Sequence, residues 1–334
     1  MSLKVFILAG EPSGDRLGGA LMAGIKTLRP DVSFEGIGGT LMAEQGLDSR
    51  FAMAELSVMG LAEVLPKYRH LKRRIRETAE AVIAQNPDVL ITIDSPDFSL
   101  RVASLVKAGS DIRTVHYVAP SVWAWRPKRA VKMARSIDQV LALLPFEPPL
   151  MQAAGMDCDF VGHPVVAEPL ATDPEIAEFR AKFDLGEAPL VLALPGSRRS
   201  EVTRLGPVFG EALQAFAHLH PGYRAVVPCA APVADLVRAQ AEDWPKNTLF
   251  LDPNSHDAQA YAAIKRAAFA TSDLALAASG TVSLELAANA TPMVIAYRFQ
   301  WLTWQVMKRM ALVDTVTLVN LVSETRVVPE CLGP

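Results

Sequence analysis

The chain has 334 residues, half of them hydrophobic and 21% charged, which is too apolar for disorder and long enough for roughly two domains. Thirty-three basic against thirty-six acidic side chains leave a net charge of −3, which argues against a globally basic nucleic-acid binder. Cys158, Cys229 and Cys331 lie far apart with no CxxC spacing, which excludes a disulfide framework and a thiolate zinc site and fits a reducing, cytoplasmic compartment.

Short apolar runs alternate with helical patterns along the chain. Lys4–Ala9 reads as a fully buried strand and Leu17–Leu28 as the helix after it. Further strands are expected at Val32–Ile37, Asp88–Ile93, Thr114–Val118, Gln139–Leu143 and Asp159–Val161. Pro164, Pro169 and Pro174 then punctuate a segment with little periodicity. The pattern restarts with Leu190–Leu194, Ala225–Val227, Thr248–Leu251, Leu274–Ala277 and Met293–Ala296. Apolar runs without alternation suit parallel strands covered on both faces. The expectation is two doubly wound α/β domains, 1–165 and 175–334, facing a central cleft. No apolar run is long enough to span a bilayer. The stretch Val5–Ala9 is too short for a signal-peptide core.

In such sheets ligands sit beyond the carboxyl ends of strands, so the loops there carry the chemistry. After the first strand comes Gly10-Glu-Pro-Ser-Gly-Asp15, with Gly18 and Gly19 a turn further on. The spacing matches neither GxGxxG nor the P-loop, and reads equally as a ligand loop or as a tight turn with Ser13 as N-cap. After the strand ending at Ile93 come Asp94, Ser95, Pro96 and Asp97. Ser95 can cap a helix that starts at Pro96, and Asp97 favours its positive end. Asp94 has no such task and reads as a base or a ligand. Leu194–Glu201 opens a helix, and N–H groups beside Gly196 and Ser197 with the fork of Arg198 make a diphosphate seat. Ser279, Gly280 and Thr281 form a second small-residue loop, with Glu285 a turn later as a candidate acceptor for both ribose hydroxyls.

Other signals are weaker. Asp157-Cys-Asp159 has the DxD spacing of some metal-dependent glycosyltransferases, but it is expected to precede a strand, on the wrong edge of the sheet. His218 and His220 face different directions and are no metal pair. His116 and His163 stand at strand ends as supporting groups. Lys67–Arg76 holds six Lys or Arg in ten residues, just after the apolar Val58–Leu65. Val58, Met59, Leu61, Val64 and Leu65 with Lys67, Arg69, Lys72, Arg73, Arg74 and Arg76 suit an anionic membrane surface, or else form a solvated helix face. Trp301 and Trp304 beside Lys308 and Arg309 form a second candidate contact or part of the core.

Gly10-Glu-x-Ser-Gly-Asp15, Ile93-Asp-x-Pro-Asp-Phe98 and His116-Tyr-Val-x-Pro-Ser-Val-Trp-Ala-Trp125 resemble the signatures of the lipid-A-disaccharide synthase family. So do Pro145–Glu147, Phe160–Pro164, Pro195–Arg198 and Ser279–Thr281 with Glu285, in order from Lys4 to about Pro329. The resemblance implies a GT-B glycosyltransferase of lipid A biosynthesis in Gram-negative bacteria. Such an enzyme joins UDP-2,3-diacylglucosamine to 2,3-diacylglucosamine 1-phosphate, with inversion, and releases UDP. It implies an acceptor-binding N-terminal domain, a nucleotide-sugar-binding C-terminal domain, and peripheral binding to the inner face of the inner membrane.

By the same resemblance Asp94 is the catalytic base, and Gly10, Glu11, Ser13, Gly14 and Asp15 belong to the substrate site. Asn320 matches a further polar position that touches the nucleotide or holds its loop. Neither metal nor cofactor is implied, because Arg198 and helix N-termini would take the charge that a metal takes in DxD enzymes. A homodimer is compatible with the family. The family's chain usually continues past the position of Glu330, whereas this sequence stops at Pro334. It therefore reads as one lacking a tail that crosses back to the N-terminal domain and can exchange between subunits. Two other readings stand beside this one. A different GT-B enzyme, such as a UDP-sugar epimerase, would have no lipid acceptor, and a non-catalytic nucleotide-sugar or lipid-binding protein would not need Asp94.

Overall fold

The computed structural model describes residues 2–56 and 61–334 and, of these, every side chain but those of 61–67, 302, 303 and 306. The chain divides into two compact units, Met1–Pro164 and Val165–Pro334. The first unit runs β1 (Lys4–Ala9), α1 (Pro12–Leu28), β2 (Ser33–Ile37), α2 (Thr40–Glu44), α3 (Leu61–Gln85) and β3 (Val89–Ile93). It continues with α4 (Pro96–Gly109), β4 (Arg113–Tyr117), α5 (Lys128–Met133), β5 (Gln139–Ala142), α6 (Pro148–Ala153) and β6 (Asp157–Phe160). The second unit runs α7 (Asp173–Lys182), β7 (Leu190–Leu194), α8 (Arg199–Leu219), β8 (Arg224–Pro228), α9 (Ala234–Gln240) and β9 (Leu249–Leu251). It ends with α10 (Ala258–Ala270), β10 (Leu274–Ala278), α11 (Val282–Ala288), β11 (Met293–Arg298), α12 (Trp301–Met310), α13 (Leu318–Ser323) and β12 (Glu330–Gly333).

Each unit is built on one six-stranded sheet, in the orders β2-β1-β3-β4-β5-β6 and β12-β11-β10-β7-β8-β9, with every described pairing parallel. The apolar runs explain this. On β1, Phe6 and Leu8 enter one buried cluster with Val82 and Val102, while Val5, Ile7 and Ala9 enter another with Met22 and Met42. On β7, Leu190, Leu192 and Leu194 likewise part from Val191 and Ala193. Alternate residues buried on both faces leave no face for water, so helices must cover both. Each such large side chain contributes about 1.5–3 kcal/mol by burial.

The strand orders also fix where a ligand can go. In the first sheet the connections leave β1 in opposite directions, toward β2 and β3, and in the second they leave β7 toward β8 and β10. Ligands of doubly wound sheets lie at such reversals, beyond the carboxyl ends of the strands. The loops after β1, β3, β7 and β10 are therefore the places to look.

Several local expectations are corrected. Helix α1 starts at Pro12, five residues before Leu17, with Glu11 at the N-cap, so Ser13 lies inside the helix and caps nothing. Ser95 does precede α4, but its backbone is left-handed and its side chain caps nothing there. Asp157 and Asp159 lie within β6, which pairs with β5, instead of before a strand. Asp157 pairs with Arg113 at 3.3 Å. Strand β12, absent from the sequence expectation, closes the second sheet beside β11.

Candidate active site

In the second unit the loops after β7 and β10 meet α10 around a cavity of about 610 Å³. Gly196, Ser197, Arg198, Ser279, Gly280, Thr281 and Glu285 all line it. Gly196 has φ of +120°, a backbone that favours glycine and turns the chain from β7 into α8. Three of the donors expected at this turn are already engaged. Glu201, in the first turn of α8, accepts from Ser197 N at 3.1 Å, from Arg198 N at 3.2 Å and from Arg198 Nη1 at 3.0 Å.

Across the cavity, Lys265 Nζ donates to Glu285 Oε2 at 2.6 Å. Tyr261 and Phe269, each a helical turn from Lys265, line the same wall. The Tyr261 hydroxyl donates to the carbonyls of Cys229 at 2.6 Å and Leu251 at 3.3 Å. Burial pushes that hydroxyl up, so it stays a donor, and burial also pushes the Cys229 thiol up to about 11. Residues 227–231 complete the wall. Sequence reasoning missed Tyr261, Lys265, Glu201 and this segment. A single lysine in step with Tyr261 and Phe269 on an otherwise apolar stripe was the available signal for α10.

Asn320 does not line this cavity and is 1% exposed. Its amide donates to Thr315 Oγ1 and the Val328 carbonyl, and its Oδ1 accepts from Val328 N at 3.0 Å. Glu330 accepts from Val316 N at 3.0 Å and Thr317 N at 2.8 Å, and Ser279 Oγ donates to the Val316 carbonyl at 3.1 Å. Asn320 and Glu330 thus hold the segment on which the Ser279 loop rests.

In the first unit, Asp94 follows β3 directly and is half-buried. Its N–H donates to the Tyr117 carbonyl at 3.0 Å, tying it to the end of β4. Asp94 and Ser95 have φ of +47° and +44°, and Val118, just past β4, has +83°. Non-glycine residues rarely hold such angles, and when they cluster they mark functional sites. Ser95 Oγ donates to Glu11 Oε1 at 3.4 Å. A Cβ on Gly10 would come within 2.8 Å of Ser95 Oγ, so a larger residue there would have to push the Ser95 side chain aside where the loops after β1 and β3 meet. Gly14 is buried, whereas Ser13 is exposed. Asp15 is buried and accepts from the N–H groups of Gly39, Leu41 and Met42 at 2.8–3.1 Å, which spends its carboxylate on the start of α2.

Two aromatic-bearing segments, one running on from β4 and one following β5, meet through Trp123 and Glu147. His116 Nδ1 lies 2.7 Å from Thr92 Oγ1, and burial, with Arg129 adding, pulls its pKa down to about 4. Glu147 is 3% exposed and accepts from Trp123 Nε1 at 3.2 Å and Leu144 N at 3.0 Å, and burial pushes its carboxyl up to about 7.

Of the apolar and basic candidates, Val58 and Met59 lie outside the described residues, as do the side chains of Leu61, Val64, Leu65 and Lys67. Lys72, Arg73 and Arg76 are exposed on α3. Arg74 is not part of that surface. It reaches Glu55 through two bonds of 2.9 Å and lies 4.3 Å over the Phe51 ring, because a carboxylate and an aromatic face are both within its reach. Lys72 and Arg76 instead line a groove with Arg101, Tyr68 and Leu105 between α3 and α4.

The family model for lipid-A-disaccharide synthetase matches residues 5–334. The chain belongs to the lipid-A-disaccharide synthase family. A lipid-A-disaccharide synthase of Ruegeria pomeroyi is 69% identical over 332 residues, covering 99% of this chain and 83% of that protein. One from Rhodospirillum centenum is 46% identical over 335 residues, covering 99% and 81%. Among solved structures, UDP-GlcNAc 2-epimerase from Neisseria meningitidis bound to UDP-GlcNAc matches with a TM-score of 0.62 at 12% identity, over 96% of this chain and 89% of that one. MurG of Acinetobacter baumannii matches at 0.52 and 12% identity, over 99% and 86%. These likenesses give the fold: two parallel α/β units of the GT-B kind. Among the described residues of this family member, no helix is long and apolar enough to cross a membrane.

Proposed function

We propose that this chain joins UDP-2,3-diacylglucosamine to 2,3-diacylglucosamine 1-phosphate, forming a β(1→6) disaccharide 1-phosphate and UDP. The observation that carries the reading is the convergence of Gly196–Arg198, Ser279–Thr281 and Glu285 on one cavity, at the strand-order reversal of the second sheet. A uridine diphosphate fits its chemistry. Glu285, steadied by Lys265, accepts from the ribose hydroxyls, while Arg198 and backbone N–H groups of the two loops take the diphosphate.

Asp94 stands at the corresponding reversal of the first sheet and serves as the general base. It takes the proton of the acceptor 6-hydroxyl as that oxygen attacks the anomeric carbon, and the bond to UDP breaks. Charge then grows on the diphosphate, where Arg198 stabilises it. The first unit takes the acceptor and the second the donor. Both sugars carry acyl chains, so the protein works peripherally on an anionic bilayer, on the cytoplasmic face of the inner membrane, through α3 and its groove with α4.

The test is direct. The purified protein is incubated in detergent micelles with both acylated monosaccharides, and products are read by mass spectrometry. Disaccharide 1-phosphate and UDP in equal amounts are expected. Conversion of the donor to its C2 epimer with no disaccharide formed would favour an epimerase, and binding without turnover a non-catalytic protein.

A further inference from the structure

Glu201 stands in the seat that the diphosphate needs. Its carboxylate takes two successive backbone N–H groups and one arm of Arg198, all within 3.2 Å. An ordinary glutamate in the first turn reaches back to the N-cap N–H alone. Here the carboxylate also takes the donor before the cap and a guanidinium, and its side chain is only 10% exposed. A Cβ on Gly196 would lie 2.5 Å from Glu201 Cβ and 2.6 Å from its Oε2, so glycine at this turn is what lets the carboxylate in. Three convergent donors, one of them charged, around a single carboxylate are the recognition pattern of a phosphate.

We propose that Glu201 is a built-in competitor for the phosphate subsite, which a ligand's phosphate must displace and which thereby sets the selectivity of the site. This rests on the nucleotide site proposed above. A carboxylate carries one negative charge and two acceptor oxygens. A diphosphate offers more charge and more oxygens, so it can win the contest for Ser197 N, Arg198 N and the guanidinium. A single phosphate gains less over the resident carboxylate, and an uncharged nucleoside does not enter the contest. The displaced carboxylate turns toward water, and the like charge it brings close to the phosphate lowers affinity for every phosphorylated ligand.

Calorimetric titration of the full chain with UDP, UMP, pyrophosphate and uridine tests this. Glu201→Gln keeps the shape and an acceptor oxygen but removes the charge. It should bind pyrophosphate, UMP and UDP about tenfold more tightly than the unchanged protein, with the largest gain for UMP, and bind uridine equally. A merely structural cap predicts the opposite, a lower melting temperature with equal or weaker UDP binding, and that result overturns the proposal. Glu201→Ala is read by the same criteria if the glutamine protein does not fold. If the unchanged protein binds neither UDP nor uridine, the nucleotide-site reading itself fails. If it binds uridine and UDP while the variants gain nothing, only the role of Glu201 fails.

Discussion

Asp94 owes its proposed role to its place and to its backbone. A carboxylate at the end of a buried parallel strand stands where doubly wound sheets take their ligands, and its left-handed φ of +47° turns the backbone there off the extended course. Asp94→Asn keeps the size and cannot take the proton, so turnover should fall by about 10²–10⁴-fold. UDP affinity should hardly change, because the donor is assigned to the other unit. Normal turnover in a folded Asp94→Asn protein would remove Asp94 from the mechanism. For Glu285, the ribose assignment predicts a choice between sugars. Glu285→Gln should weaken UDP by about 1.5–3 kcal/mol, the usual worth of a hydrogen bond to a charged group. It should leave 2′,3′-dideoxy-UDP unaffected, and an equal loss for both ligands would refute the diol contact.

The sequence exposes the residues that stand on strand ends, because strand and position can both be read from apolar runs. Asp94 falls in this class, and Arg198 and Glu285 follow it one step on, at the N-cap and in the first turn of the helices that leave β7 and β10. It hides residues whose task depends on another element. Nothing near Asp15 announces that its acceptors serve α2, and nothing near Asn320 tells that its amide is consumed by Thr315 and Val328. The left-handed pair at Asp94 and Ser95 is silent too, since no glycine marks it.

At the level of elements, β1 and β7 are legible because burial on both faces leaves only one reading. Helix α1 starts early because Pro12 suits its first position, where a missing N–H costs nothing, although the segment looks like a loop. Strand β12 was not legible, for Glu330-Cys-Leu-Gly333 contains no β-branched residue and lies at a sheet edge. The α3–α4 groove joins Lys72 and Arg76 to Arg101, a residue some 25 positions further along that no local pattern connects to them. At an anionic bilayer each such cation is worth about 1 kcal/mol, screened over roughly 8 Å at physiological salt. Changing Lys72, Arg76 and Arg101 together to Glu should abolish co-sedimentation with anionic liposomes and leave UDP affinity intact. Undiminished sedimentation of that triple variant would reduce the groove to a solvated surface.

Over the whole molecule, two buried titrating groups of the first unit oppose each other. Glu147 is raised to about 7, above its ordinary 4.5, so its contribution is complete at low pH and is lost as pH rises through about 7. His116 is lowered to about 4 from 6.5, so stability is lost as pH falls below 6.5 toward 4. Between about pH 4.5 and 6.5 the two slopes cancel in large part. Glu147→Gln removes one of them. Its stability relative to the unchanged protein should improve by roughly 3 kcal/mol between pH 4.5 and pH 7, as read from denaturant melts at each pH. Parallel curves for the two proteins would show that Glu147 titrates normally.

The three left-handed residues along the carboxyl edge of the first sheet bear on how this protein could adapt to heat. Each such backbone costs roughly 1–3 kcal/mol, and Ser95→Gly would release part of that at once, since glycine accepts the angle freely. A library selected for heat resistance alone should therefore find Ser95→Gly early, and the same change loosens the footing of the neighbouring carboxylate. Selection for survival and selection for turnover would pull this edge in opposite directions, and lineages in hot habitats would have to gain their robustness elsewhere in the chain.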